Sequence, residues 1–202
     1  MPEARPARLR EGGVTLITGG LGGVTFVLAA YLASVSKAKL VLTGRARLPE
    51  RGEWDAWRAA RGEADPISHR IKRVQMLEAL GAEVLVVSAD VGDQAQMEEA
   101  FRQAEARFGA VHGVIHGAGV VGGNTFRPVP EIGAGECEQQ FHPKVAGLIT
   151  LDQVLAGRRL DFCMLTSSLS SVLGGFAYSA YAAANIFMDA YTAARNRTAE
   201  SP

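Results

Sequence analysis

Val14-Thr-Leu-Ile-Thr-Gly-Gly-Leu-Gly-Gly-Val-Thr25 constrains the fold of this chain more than any other stretch. A short run rich in β-branched residues stops at four glycines, Gly19, Gly20, Gly22 and Gly23, and an apolar helical run, Phe26 to Ala33, follows directly. A strand that breaks on glycines and restarts as a helix leaves backbone N–H groups and the positive end of a helix dipole facing outward. Such a turn suits an anion and, in a strand–turn–helix setting, the pyrophosphate of a dinucleotide. A glycine turn alone fixes no function, so the context must come from the rest of the chain.

That context is a repeated alternation. The first strand is expected at Val14–Thr18, followed by a helix from about Gly23 to Ser36. A second apolar run, Lys39 to Thr43, ends at Gly44-Arg45. Residues 46–66, with two prolines, Trp54 and Trp57, form an insertion with one short helix near Trp54–Arg61. Ile71, Val74, Leu77 and Leu80 recur with helical period within Ile67–Leu80, closed by Gly81. Glu83–Val87 is a third strand, and Asp93 suits the N-cap of a helix reaching about Arg107. A fourth strand, Val111–Ile115, runs into His116-Gly-Ala-Gly119. A long helix over about 136–156, bent at Pro143, precedes a fifth strand, Leu160–Thr166. The last helix covers about Tyr178–Arg195. Five strands with continuous apolar character, alternating with helices, predict an α/β fold. Its core is a Rossmann-type doubly wound parallel sheet with helices on both faces.

Composition narrows the partners. The 202 residues fit one domain, and 21 basic residues balance 21 acidic ones, which argues against a nucleic acid or anionic membrane held by a broad basic face. No apolar run approaches the roughly 20 residues of a membrane helix. Residues 1–13, rich in Arg, Pro and Gly, lack the apolar core of a signal peptide and are expected as a linker or tail, with the domain over 14–202. Cys137 and Cys163 offer neither metal spacing nor a disulfide framework, which suggests reduced structural thiols, a cytoplasmic chain and no metal.

In such sheets ligands bind outside the carboxyl ends of the strands. The candidate cofactor-binding residues are therefore Thr18, Gly19, Gly20, Leu21, Gly22 and Gly23 at the first end and Gly44 and Arg45 at the second. Asp90 and Val91 stand at the third, and Gly117, Ala118 and Gly119 at the fourth. An enzyme using NAD usually carries an acid after the second strand to accept from the ribose hydroxyls. Here Arg45 stands there, and a guanidinium suits a 2′-phosphate, which favours NADPH. Asp90 either hydrogen-bonds adenine or turns the chain. His116 is expected to be structural rather than catalytic.

Three further elements complete a pattern: Phe141-His-Pro-Lys144-Val-Ala-Gly147, Thr166-Ser-Ser168 and Tyr181-Ala-Ala-Ala-Asn185. Together with the glycine turn and His116-Gly-Ala-Gly119, the chain from about Gly13 to Arg197 resembles the ketoreductase domain of a modular type I polyketide synthase. That family belongs to the short-chain dehydrogenase/reductase superfamily. Most members of the superfamily carry Tyr-x-x-x-Lys; the synthase ketoreductases carry Tyr-x-x-x-Asn and take the lysine from the preceding long helix, as here. The resemblance implies Tyr181 as general acid, Ser168 as hydrogen-bond donor to the substrate oxygen, and Lys144 near the tyrosine and nicotinamide ribose. Asn185 would support the proton path. It implies NADPH as cofactor and reduction of a β-ketoacyl thioester on an acyl carrier protein, alongside other synthase domains.

Two departures stand out. Thr25 replaces the family's last fingerprint glycine, which a small shift absorbs or which weakens NADPH binding. The sequence ends at Pro202 without the family's lid and last strands, and it lacks the structural subdomain before the first strand. These departures imply a partial catalytic subdomain. Stereochemical markers are absent: Val121-Gly122-Gly123 stands where one subgroup has Leu-Asp-Asp, and Leu173 where the other has tryptophan. A non-catalytic Rossmann-like module and a free-standing short-chain reductase are the alternative readings.

Overall fold

Five apolar runs pair into one parallel sheet of order β3-β2-β1-β4-β5, formed by β1 (Val14–Thr18), β2 (Lys39–Gly44), β3 (Glu83–Ser88), β4 (Gly113–His116) and β5 (Phe162–Leu165). A computed structural model describes residues 8–120 and 126–198, so Val121-Gly122-Gly123 lies outside the described residues. The chain runs outward from β1 to β3, then returns to the other side of β1 for β4 and β5. This reversal opens a crevice at the carboxyl ends of β1 and β4, where parallel sheets bind ligands.

Strand side chains alternate between the two faces, so each face builds its own core. Leu16 pairs with Val41 and Val114 in register, and with Met97, Phe101 and Leu151 these residues form one core beneath α4 (Gln94–Phe108) and α6 (Gly147–Leu155). Ile17, Leu40, Leu42 and Ile115 point the other way. They pack with Ala29 and Leu32 of α1 (Gly23–Ser36) and with Ile71, Val74 and Leu77 of α3 (Pro66–Ala79). The helix over Trp54–Arg61, α2, fastens the insertion: Trp54 is buried and its Nε1 donates to the Pro49 carbonyl at 3.0 Å. Asp65 caps α3 by accepting from the Ser68 N–H at 2.8 Å, and also accepts from Trp57 Nε1. The Asp93 side chain caps α4 by accepting from the Gln96 N–H, as its position predicts.

Three features depart from expectation. The long helix is not merely bent at Pro143. It divides into α5 (Ala134–Phe141), a π-helical turn over His142–Ala146, and α6. Proline lacks an N–H and its ring clashes with the carbonyl one turn back, so the ladder widens and resumes with Gly147 N–H bonding the His142 carbonyl. Second, β5 is an exposed edge: Cys163 and Met164 face solvent, whereas β1 and β4 are buried throughout. An apolar run has the same composition on a central or an edge strand. Cys163 is therefore a free surface thiol rather than a core residue. Third, the segment before β1 is tied in from Arg10, whose guanidinium pairs with both Asp161 oxygens at 2.5 and 2.6 Å. A short helix, α7 (Ser170–Leu173), precedes α8 (Ser179–Thr198). No helix among the described residues is long and apolar enough to cross a membrane.

Thr25 is accommodated by the backbone opposite it. It is 2% exposed, its hydroxyl donates to the Gly19 carbonyl at 2.5 Å, and its methyl fills the space that a Cβ on Gly117 would occupy. The β-branched residue at the end of the glycine turn is thus matched by the absence of a side chain on the neighbouring strand end. Gly117→Ala is expected to destabilise the fold by about 1–3 kcal/mol through overpacking, lowering Tm by several degrees. Adding Thr25→Gly restores most of the loss, as thermal melts of the four-member cycle will reveal; independent, additive losses would contradict this pairing.

Candidate active site

The β1–α1 turn is built from small, constrained backbone. Gly19 has φ +64°, and a Cβ there would lie 3.0 Å from Ala118 Cα, so both the left-handed conformation and the close approach of the fourth strand end call for glycine. The cap of α1 at Gly22 has no side-chain hydrogen bond, and the first turn holds no acidic residue. The N-terminal N–H groups of α1 therefore have neither a capping side chain nor a competing carboxylate in that turn, an arrangement that fits an anionic ligand.

Below this turn the ends of β1 and β4 are stitched by Thr18. Its buried hydroxyl accepts from the N–H groups of Gly117 and Ala118, both at 3.3 Å, and lies 2.7 Å from His116 Nδ1. Accepting two bonds already, the hydroxyl donates to Nδ1, which leaves the imidazole proton on Nε2. Burial pushes His116 down to about 4, the nearby Lys144 charge adds to this, and the Pro143 backbone opposes it. His116 is therefore a neutral structural histidine, in keeping with the expectation that it is not catalytic.

A cavity of about 500 Å³ runs along the strand ends. Of the sequence candidates it is lined by Gly19, Leu21, Gly22, Gly44, Arg45, Asp90, Val91, Gly117, Ala118 and Gly119. Thr18, Gly20 and Gly23 do not line it: Thr18 and Gly20 are buried behind the turn, and Gly23 is exposed at the start of α1. A Cβ on Gly20 would approach Leu42 Cδ2 to 2.8 Å, so this glycine serves the packing of the turn on β2. Asp90 turns the chain, its Oδ1 accepting from Gly92 N–H at 2.9 Å and lying 2.9 Å from His142 Nε2. Burial would raise the Asp90 carboxyl, but the Gly92 N–H, His142 and the Arg45 charge together hold it below the usual carboxylate range. A cavity lined by glycines, with Arg45 on its wall and the residues of the uncapped β1–α1 turn among its lining, suits a nicotinamide dinucleotide.

Lys144, Ser168, Tyr181 and Asn185 do not line this cavity; Lys144 comes up behind its wall at Gly119, where a Cβ would lie 3.3 Å from Lys144 Cε. Lys144 sits in the π-helical turn, 5% exposed, and its Nζ donates to the Thr166 carbonyl at 3.1 Å. The same Nζ lies 5.8 Å from the centroid of the Tyr181 ring, although the two residues come from different helices. Burial pushes the Lys144 ammonium down to about 8, with the Asp189 charge partly opposing. Asn185, fully buried one turn beyond Tyr181, donates through Nδ2 to the Tyr181 carbonyl at 2.7 Å, while its Oδ1 is buried without a partner among the described residues. Ser168 is half-buried, and its Oγ accepts from the Ser170 N–H at 3.2 Å and lies 3.1 Å from the Ser170 hydroxyl. Lys144, Tyr181 and Asn185 are thus brought together, and Ser168 begins the loop between them and β5.

Several neighbours carry no local sequence signal. Phe126 and Tyr178 pack edge-on against each other at 4.7 Å, and Phe126 lies 5.6 Å from the Tyr181 ring, forming an aromatic wall beside it. His142 and Arg70 line the cavity. Neither stood out in the sequence; Arg70 belongs to a helix whose position over the sheet is a tertiary fact.

The KR domain family model matches residues 13–201. The chain is 34% identical over 190 residues to polyketide synthase PksM of Bacillus subtilis strain 168, covering 94% of this chain and 4% of that protein. Among solved structures it is similar to a ketoreductase domain from the bacillaene assembly line (32% identity, TM-score 0.79), covering 98% of this chain and 42% of that one. It is also similar to an N-terminal ketoreductase from the macrolactin assembly line (33% identity, TM-score 0.78), covering 93% of this chain and 34% of that one. The chain thus spans a small part of its curated relatives and less than half of these solved ketoreductases. Its parallel sheet, glycine turn and matched sequence together place it in the KR domain family of polyketide synthases, with the Rossmann-type fold of short-chain dehydrogenase/reductases.

Proposed function

We propose that this domain reduces the β-keto group of an acyl thioester, presented on an acyl carrier protein, to the β-hydroxy group, with NADPH as reductant. The observation that carries this reading is the convergence of Lys144, Tyr181 and Asn185, with Lys144 behind the Gly119 wall of the strand-end cavity. Arg45, with no acid beside it on the second strand end, favours the 2′-phosphorylated cofactor. The exposed apolar residues Val172 and Leu173 of α7, and Phe176 just after it, suit the approach of an acyl chain. The other domains of a synthase would be the chain's neighbours. The domain bounds proposed are 14–202, after a leading segment of residues 1–13.

The chemistry needs a hydride at the carbonyl carbon and a proton at its oxygen. NADPH supplies the hydride when bound. The Tyr181 hydroxyl forms no hydrogen bond to a described residue, so it is available to donate its proton to the substrate oxygen. Charge growing on that oxygen is stabilised by the Tyr181 and Ser168 hydroxyls together. The Lys144 ammonium, held beside the ring by the Thr166 carbonyl, lowers the cost of leaving a phenolate behind. The unpartnered Oδ1 of Asn185 is an acceptor in a buried position, and a buried acceptor left unmade costs about 1–3 kcal/mol. It suits a water that returns a proton toward Lys144 and Tyr181.

Tyr181→Phe removes the acid and nothing else. Reduction of a β-ketoacyl thioester is expected to fall by about a thousandfold, within the range for general-acid catalysis, while fluorescence titration finds NADPH binding nearly intact. Retained turnover would mean that another group delivers the proton.

Lys144 ties activity to pH. Its ammonium is present below about pH 8 and lost above it. The free-domain profile, kcat/KM for reduction, should therefore be level below about pH 8 and decline above it, with the decline absent from the residual activity of Lys144→Met. Stability runs the opposite way. The folded chain releases this proton at about 8 and the unfolded chain only near 10.5, so the unfolded state holds more protons in between and stability from this group rises across that window. Lys144→Met should therefore be more stable at pH 7, by on the order of 1–3 kcal/mol after loss of the Thr166 bond, and the gain should shrink between pH 8 and 10.5. Denaturant unfolding at the two ends of that range tests this.

A further inference from the structure

The basic residues of the insertion and of α3 are almost all accounted for. Arg51 pairs with Glu78, Arg58 with Glu63 and Gln75, and Lys72 with Glu63. Arg73 donates to the Leu21 carbonyl in the glycine turn and stacks on Phe26, 5.0 Å from its centroid. Arg47 and Arg70 form no such contact with a described residue, and of the two Arg70 lines the cavity. Arg70 lies three residues before Arg73, on the same side of α3, is half-buried, and forms no hydrogen bond or ion pair with a described residue. It lines the same cavity as Arg45, Gly44 and Leu21.

The insertion explains how it comes to be there. Trp54 and Trp57 anchor α2 through Pro49 and Asp65, and Asp65 caps α3. Ile71, Val74 and Leu77 then fix the rotation of α3 by burying its apolar stripe in the core shared with α1. With that stripe inward and Arg73 held at the glycine turn, Arg70 is delivered to the cavity wall. A guanidinium on the cavity wall with no acid partner keeps its donors free for an anionic ligand. Arg45 at the end of the second strand and Arg70 on α3 line one cavity, together with the carboxylate of Asp90, which is held charged by the Gly92 N–H, His142 and Arg45.

We propose that Arg70 is a second binding residue for the 2′-phosphate of NADPH, closing on it from α3 while Arg45 holds it from the end of β2. The inference rests on the reading of NADPH as cofactor. Arg70 would then be a specificity-determining residue that adds to the preference Arg45 supplies.

Fluorescence titrations of NADPH and NADH with the full-length protein test this, with competition by 2′,5′-ADP and 5′-AMP. Arg70→Ala is expected to weaken NADPH and 2′,5′-ADP by about tenfold or more, with NADH and 5′-AMP changed by less than about twofold and Arg70→Lys intermediate. Equal losses for all four ligands would place Arg70 on the adenine or in the scaffold and overturn the proposal. Unchanged NADPH binding in Arg70→Ala, with the preference erased by Arg45→Ala, would overturn it while leaving NADPH as the cofactor. A wild-type protein that binds NADH as tightly as NADPH would overturn both readings. If Arg70→Ala fails to fold, Arg70→Gln keeps the aliphatic stem and gives the same comparison.

Discussion

The ends of β1 and β4 approach so closely that neither Gly19 nor Gly117 could carry a side chain, and the site depends on that approach. Gly19 lies against Ala118, Thr25 fills the space over Gly117, and the Thr18 hydroxyl bonds both backbone N–H groups of the neighbouring strand end. Interiors pack too densely to yield to a misplaced methyl group, so these contacts set where α1 begins and where its uncapped N-terminus points. The same contacts bury His116 and keep it neutral. Thr25 is part of this arrangement, donating its hydroxyl back to the Gly19 carbonyl and filling the space over Gly117 with its methyl.

The second half of the site depends on a break in regular structure. A continuous α-helix over residues 134–155 would hold Lys144 in a different rotation about the helix axis. Pro143 opens the ladder into a π turn, and the added residue per turn rotates the helix so that Lys144 points toward Thr166 and Tyr181. Burial there lowers the affinity of Lys144 for its proton, at some expense in stability. That trade is common where a charged group must work inside a fold.

The sequence patterns disclosed the elements with local causes. The glycine turn, the Trp54–Arg61 helix, the Asp93 cap and the alternation of apolar strands with helices are legible because each depends on neighbours within a few residues. Lys144, Tyr181 and Asn185 stood out only through a family resemblance, since their meeting depends on how two helices cross a sheet. What stayed hidden has non-local causes. An edge strand such as β5 is as apolar as a central one. A proline forecasts a disturbance in a helix but not whether it becomes a kink or a π turn. Arg70 looks like any surface arginine until the tryptophan-anchored insertion is seen to lay α3 over the cavity.

The proposed reaction passes hydride from NADPH to a β-ketoacyl thioester. Single-turnover reaction of the full-length protein with NADPH deuterated at the transferable C4 position, using a β-ketoacyl thioester on an acyl carrier protein, tests it most directly by mass spectrometry of the product. One deuterium is expected on the carbon that becomes the hydroxyl-bearing centre. Tight cofactor binding with no deuterium transferred would contradict it and leave a dinucleotide-binding module without reductase chemistry.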